Sequence, residues 1–174
     1  AASGLMDWET ARQVSTFKSA LYTIVRPLQL GASLIGPADP ALLAALEAYG
    51  RPLGRAFQLK DDLLGVLGNE SQVGKPVGDD LREGKPTELA AIAFERARGD
   101  QQAILAGIGR RDLDASQVGA IVEVFRTTGA VDAIEDRIGD LVIEAVAAID
   151  PLPFCDQAKE ALGSLADYVA ARNS

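Results

Sequence analysis

The stretch FQLKDDLLG (Phe57 to Gly65), followed by GKPVGDDLREGKPT (Gly74 to Thr87), decides how this sequence is read. Its first run closes a helical pattern extending from Ala41 to about Val66, with Leu42, Leu46, Tyr49, Leu53, Phe57 and Leu64 as candidates for burial. Gly50, Pro52 and Gly54 weaken the middle of that segment. The second run is of another kind. Between Gly68 and Thr87, Gly68, Gly74, Gly78 and Gly84 are interleaved with Lys75, Asp79, Asp80, Arg82, Glu83 and Lys85, which reads as a polar loop. A loop of this length ordinarily carries a function.

Upstream, Thr16 to Leu34 reads as a helix with an apolar face through Phe17, Leu21, Ile24, Val25 and Leu28. Pro27 lies inside it and predicts a kink or break near Arg26. Gly36, Pro37 and Pro40 mark a turn, with Asp39 placed as an N-cap and Pro40 at the first helical position. Downstream, helices are expected at 87–98, 99–109, 115–128, 129–149 and 154–172. Asp114 or Ser116 would cap the third of these, and Gly129 would separate it from the next. There is no β-hairpin signal, internal repeat or low-complexity tract. The expected fold class is all-α, a helical bundle in which residues 1–174 form a single domain with one charged, glycine-rich loop.

Composition agrees with helices. Hydrophobic residues make up 48% of the 174 residues, enough for a core, whereas aromatics are only 5%. Strands lean on aromatic and β-branched residues, and helices on the Ala and Leu abundant here. The formal net charge of −8 argues against a nucleic-acid partner, which demands a basic footprint. It leaves room for a small phosphate ligand, which needs only a local cluster of cations. The chain has no histidine, so a Ser-His-Asp triad, a Cys-His pair and most zinc sites are excluded. Cys155 has no partner for an internal disulfide and reads as a small structural residue. No apolar run reaches the ~20 residues of a membrane span, and the first residues lack a signal-peptide layout. A cytoplasmic protein is the expectation.

The chemistry concentrates at Phe57, Gln58, Asp61 and Asp62. On a helix, Gln58 lies one turn before both aspartates, so the three polar groups share neighbouring surface. An Asp-Asp pair alone reads as a solvated patch at a helix end. Buried and unpaired, two such acids would be costly, and a divalent cation would resolve the cost; oxygen-only ligands point to Mg2+. The following loop adds weight to that reading. Lys75 and Lys85 flank Asp79 and Asp80, while Lys18 and Ser19 supply a further cation and hydroxyl upstream. Magnesium is usually held by one or two carboxylates plus substrate phosphates, so ammonium groups beside a carboxylate pair suit a Mg-diphosphate complex. The run GDDLREGKPT imitates a nucleotide P-loop but fails as one. Five residues separate Gly78 from Gly84, Pro86 stands where Ser or Thr is required, and no strand precedes it.

These residues resemble a known family. FQLKDDLLG and GKPVGDDLREGKPT are similar to the second aspartate-rich region of trans-isoprenyl diphosphate synthases, the polyprenyl synthetase family, bacterial farnesyl and geranylgeranyl diphosphate synthases in particular. FKSALYTIVRPLQLGA (Phe17 to Ala32) resembles the family's Lys-Thr helix, with Ser19 for the usual Thr. The resemblance spans at least Phe17 to Leu89 and implies an isoprenoid-synthase helical bundle, of which this chain is the C-terminal portion. The implied reaction joins isopentenyl diphosphate to an allylic diphosphate, giving short-chain (C15–C20) trans-polyprenyl diphosphates. By matching position, Asp61 would be the main magnesium ligand, supported by Asp62 and Asp80. Lys18, Lys75 and Lys85 would neutralise the departing diphosphate, and Gln58 and Ser19 would hydrogen-bond near it. Phe57 would line the hydrocarbon pocket beside the carbocation. The family's proton loss is generally assigned to the released diphosphate, so the lack of histidine is no obstacle. A homodimer is likewise a family expectation.

The sequence departs from the family pattern in three places. Gly65 replaces the third aspartate of the second motif. No other DDxxD or DDxxxxD pattern occurs, so the first aspartate-rich motif and the arginines that follow it are absent. Gly4 to Asp7 matches the family's GQxxD segment only loosely, with Leu5 for glutamine, and the chain opens on Ala1 as though a helix were under way. A chain lacking the N-terminal half of a synthase accounts for this. A non-catalytic subunit that modulates a complete synthase is the alternative, but such a subunit has no need of Gln58, Asp61, Lys75, Asp80 and Lys85. A class I terpene cyclase would require a second metal motif of Asn/Asp, Ser/Thr and Glu that is not found.

Overall fold

The computed structural model describes residues 16–37, 39–68, 78–152 and 154–172, and all their regular structure is helical. The side chains of residues 16–19 and of Ile35 are likewise outside the description. The elements are π1 (Thr16–Val25), α1 (Arg26–Ile35), α2 (Pro40–Leu67), α3 (Asp79–Glu83), α4 (Glu88–Arg96), α5 (Asp100–Leu105), α6 (Ala115–Thr127), α7 (Ala130–Ile149) and α8 (Asp156–Ala171). No helix among the described residues is long and apolar enough to cross a membrane.

The break expected at Pro27 appears as a change of helix type. Residues 16–25 are π-helical, and α1 begins with a proline in its first turn, where the missing N–H costs nothing. Val25 keeps right-handed helical angles, φ −63° and ψ −51°, so the axis continues. Where α2 starts, the Asp39 carboxylate accepts from Ala41 N–H at 2.9 Å, as an N-cap should. Pro52 is tolerated inside α2.

The described residues fall into two compact units, 61–135 and 16–60 with 136–172. In the second unit, Ala20, Val25, Leu46, Tyr49, Leu53, Ala56, Leu59, Ile149 and Val169 are buried. Each fully buried large side chain contributes about 1.5–3 kcal/mol. Tyr49 carries its polar handle inside and donates its hydroxyl to the Leu162 carbonyl at 2.7 Å. The glycines of α2 are packing devices. A Cβ at Gly54 would overlap the Ala20 main chain, with Ala20 N and Cβ both 2.9 Å away, and one at Gly50 would meet Val25 Cγ2 at 2.7 Å. Absence of side chains lets α2 and π1 approach closely.

In the first unit, Leu81, Leu89, Leu105, Ile121, Phe125 and Ile134 form the core, and α4 and α5 both pack on α6. Asp114 caps α6 through a reciprocal box: its carboxylate accepts from Gln117 N–H at 2.8 Å, and the Gln117 side chain accepts from Asp114 N–H at 3.0 Å. Gly129, at φ 66°, closes the turn into α7, as its position in the sequence predicts.

Candidate functional site

The expected loop contains a five-residue helix, α3, and that helix builds the site. Left-handed glycines bracket it, Gly78 at φ 85° and Gly84 at φ 67°, conformations that would strain any side-chain-bearing residue. At its end, Gly84 N–H bonds to Leu81 O at 3.3 Å and Lys85 N–H to Asp80 O at 3.0 Å, the paired bonds of a Schellman turn. That turn folds Lys85 back over Asp80. Leu81 is buried, Gly109 N–H reaches the Leu81 carbonyl at 2.8 Å, and Arg82 Nε donates to the Leu113 carbonyl at 3.0 Å. Arg82 also pairs with Asp79 at 3.1 Å. Asp79 and Arg82 therefore anchor α3, while Asp80 and Lys85 are left to act together.

The Lys85 ammonium donates to Asp62 Oδ1 at 2.9 Å and to Asp80 Oδ2 at 3.1 Å. One carboxylate comes from α2 and the other from α3, and the lysine joins them. The side chains are 39% (Lys85), 11% (Asp62) and 22% (Asp80) exposed, so the cluster is partly shielded yet open to a ligand. Burial pulls the Lys85 pKa down, but the Asp62 charge and hydrogen bond, followed by those of Asp80, outweigh it and hold the group above its ordinary value. Lys85 stays an ammonium. Beside this cluster, Gly65 leaves a cradle: a Cβ there would lie 2.9 Å from Asp80 Oδ2.

Of the residues expected to hold magnesium, Asp62 and Asp80 converge, and Asp61 is the half-exposed neighbour of Asp62 on α2. Among the described residues, no three acidic or thiol groups cluster closely enough to hold a metal ion. The donor set still fits magnesium. It is oxygen only, an ammonium already stands as a cation between two carboxylates, and magnesium ordinarily takes one or two protein carboxylates plus phosphate oxygens. Lys75 lies outside the described residues, as do the side chains of Lys18 and Ser19.

Phe57 and Gln58 are half-buried on α2 in the other unit. The Arg172 guanidinium lies 4.5 Å from the Phe57 ring centroid, a cation on an aromatic face. Arg172 is absent from the sequence-based site, because nothing local to residue 172 links it to a residue far upstream. Thr87, the last residue of the motif, is buried and caps α4 by accepting from Ala90 N–H at 3.1 Å. The same unit as Phe57 holds an apolar groove of about 610 Å³, lined by Leu42, Leu46, Phe154, Ala158 and Leu162 among others, that contains none of the expected site residues.

Comparison with known proteins gives this geometry its context. The polyprenyl synthetase family model matches residues 3–125. A short chain isoprenyl diphosphate synthase of Methanothermobacter thermautotrophicus is 36% identical over 157 residues, covering 90% of this chain and 47% of the relative. A geranylgeranyl diphosphate synthase of Saccharolobus solfataricus is 32% identical, covering 80% and 42% respectively. The crystal structure of geranylgeranyl pyrophosphate synthase from Corynebacterium glutamicum, complexed with isoprenyl diphosphate and magnesium, superposes with a TM-score of 0.88 at 42% identity. That match covers 94% of this chain and 46% of the solved one. The chain thus spans about half the length of the curated relatives it matches.

Proposed function

The chain belongs to the polyprenyl synthetase family, and from that premise we propose that it holds the diphosphate of an allylic substrate in a magnesium-dependent prenyltransferase. The observation that supports the proposal is the Lys85 ammonium bridging Asp62 and Asp80 at 2.9 and 3.1 Å, which joins the aspartate-rich run to the glycine-rich segment. Asp61, with Asp62 and Asp80, would hold Mg2+. Magnesium, when bound, would relieve the charge that builds on the diphosphate as it leaves the allylic carbon. Lys18, Lys75 and Lys85 would draw on the same phosphate oxygens, and Gln58 and Ser19 would donate hydrogen bonds to them. The Phe57 ring would face the allylic cation, a role supported by the guanidinium already resting on it.

The overall reaction forms a bond between the allylic carbon and isopentenyl diphosphate, releases diphosphate and loses one proton. The released diphosphate would take that proton, as the family resemblance implies, and the absence of histidine is no obstacle to it. A short-chain product (C15–C20), a cytoplasmic location, a homodimer and a single synthase domain over residues 1–174 complete the proposal. Relatives named as short chain and geranylgeranyl synthases support the product range.

The test incubates the full-length gene product with radiolabelled isopentenyl diphosphate, each allylic starter and magnesium. Extension of at least one starter is expected, and Asp61→Ala should lower turnover by about 100-fold or more, the scale of losing one transition-state charge contact. No extension with any starter would overturn the assignment in favour of a non-catalytic subunit.

A further inference from the structure

We draw no further inference here: the strongest candidate, the apolar groove of about 610 Å³ between the turn joining α1 to α2 and the first turns of α8, is an unpartnered face lined by Leu42, Leu46, Phe154 and Leu162, and nothing in the structure shows what covers it.

Discussion

Replacing Gly54 by alanine tests the close approach of α2 to π1. In an exposed helix the change gains about 0.8–1.0 kcal/mol from intrinsic propensity. Here the new Cβ would overlap the Ala20 main chain, with Ala20 N and Ala20 Cβ each 2.9 Å away and the Cα nearer still. Carbon atoms pack comfortably at roughly 3.5–4.0 Å, so the helices must part by about 0.6 Å or more along that line. The obstructing atoms are backbone, which no rotamer change can move. Overpacking of this kind costs roughly 1–3 kcal/mol or more, and separating the helices also loosens the buried Ala20, Val25 and Leu53 around the contact.

The expected net loss for Gly54→Ala is therefore about 1–2 kcal/mol after the propensity gain, since the obstructing atoms are backbone and put the cost at the upper end of its range. Gly50→Ala should cost less, because its nearest obstacle, Val25 Cγ2 at 2.7 Å, is a side-chain atom. Gly139→Ala and Gly163→Ala meet nothing within 4 Å and should stabilise by up to about 1 kcal/mol. Urea unfolding monitored by far-UV circular dichroism gives the order directly. Were Gly54→Ala to unfold at the same or higher urea than Gly163→Ala, the glycine would not be there for close packing, and the helix-approach argument would fail.

Two further predictions concern stability. Tyr49→Phe removes the hydroxyl bonded to Leu162 O and should cost about 1 kcal/mol near neutral pH. Burial pushes the Tyr49 phenol up to about 12, above its ordinary 10.0, so its share of stability is present below pH 10 and fades as pH rises through about 12. Melting curves between pH 9 and 12 should show the parent losing stability faster than Tyr49→Phe; parallel declines would contradict the burial argument. Asp114→Ala removes one arm of the α6 capping box and should cost about 1 kcal/mol, with Asp114→Ser recovering most of it. Equal melting temperatures for the alanine and serine variants would show that the cap contributes nothing.

The sequence reveals helices wherever their ends carry local signals. Asp39, Asp114 and Gly129 are such signals, and each acts where its position predicts. Leu46, Tyr49 and Leu53 are buried as the α2 pattern requires, whereas Leu42, Phe57 and Leu64 are only half-buried. α3 is hidden for the opposite reason. Its five residues include a single buried side chain, Leu81, which is too little for a periodic stripe, and it exists because flanking left-handed glycines and contacts with distant residues hold it. The packing role of Gly54 is equally invisible, since its reason lies at Ala20 on another helix.

The site shows the same division between residue identity and residue partnership. Asp61, Asp62, Asp80 and Lys85 stand out as charges in an apolar or glycine-rich setting, which a linear reading detects. That reading assigns Lys85 to the departing diphosphate, yet its ammonium is engaged by Asp62 and Asp80. The two roles are compatible, because an ammonium has three donors and only two of them are used by these carboxylates. The third can face an incoming phosphate oxygen without releasing either acid. If the proposed site is right, Lys85 would register the diphosphate against the carboxylates proposed to hold its cation, and replacing it should impair both at once. Arginine, with a planar fork in place of a tetrahedral ammonium, keeps the charge but not that geometry, so its rescue should be incomplete.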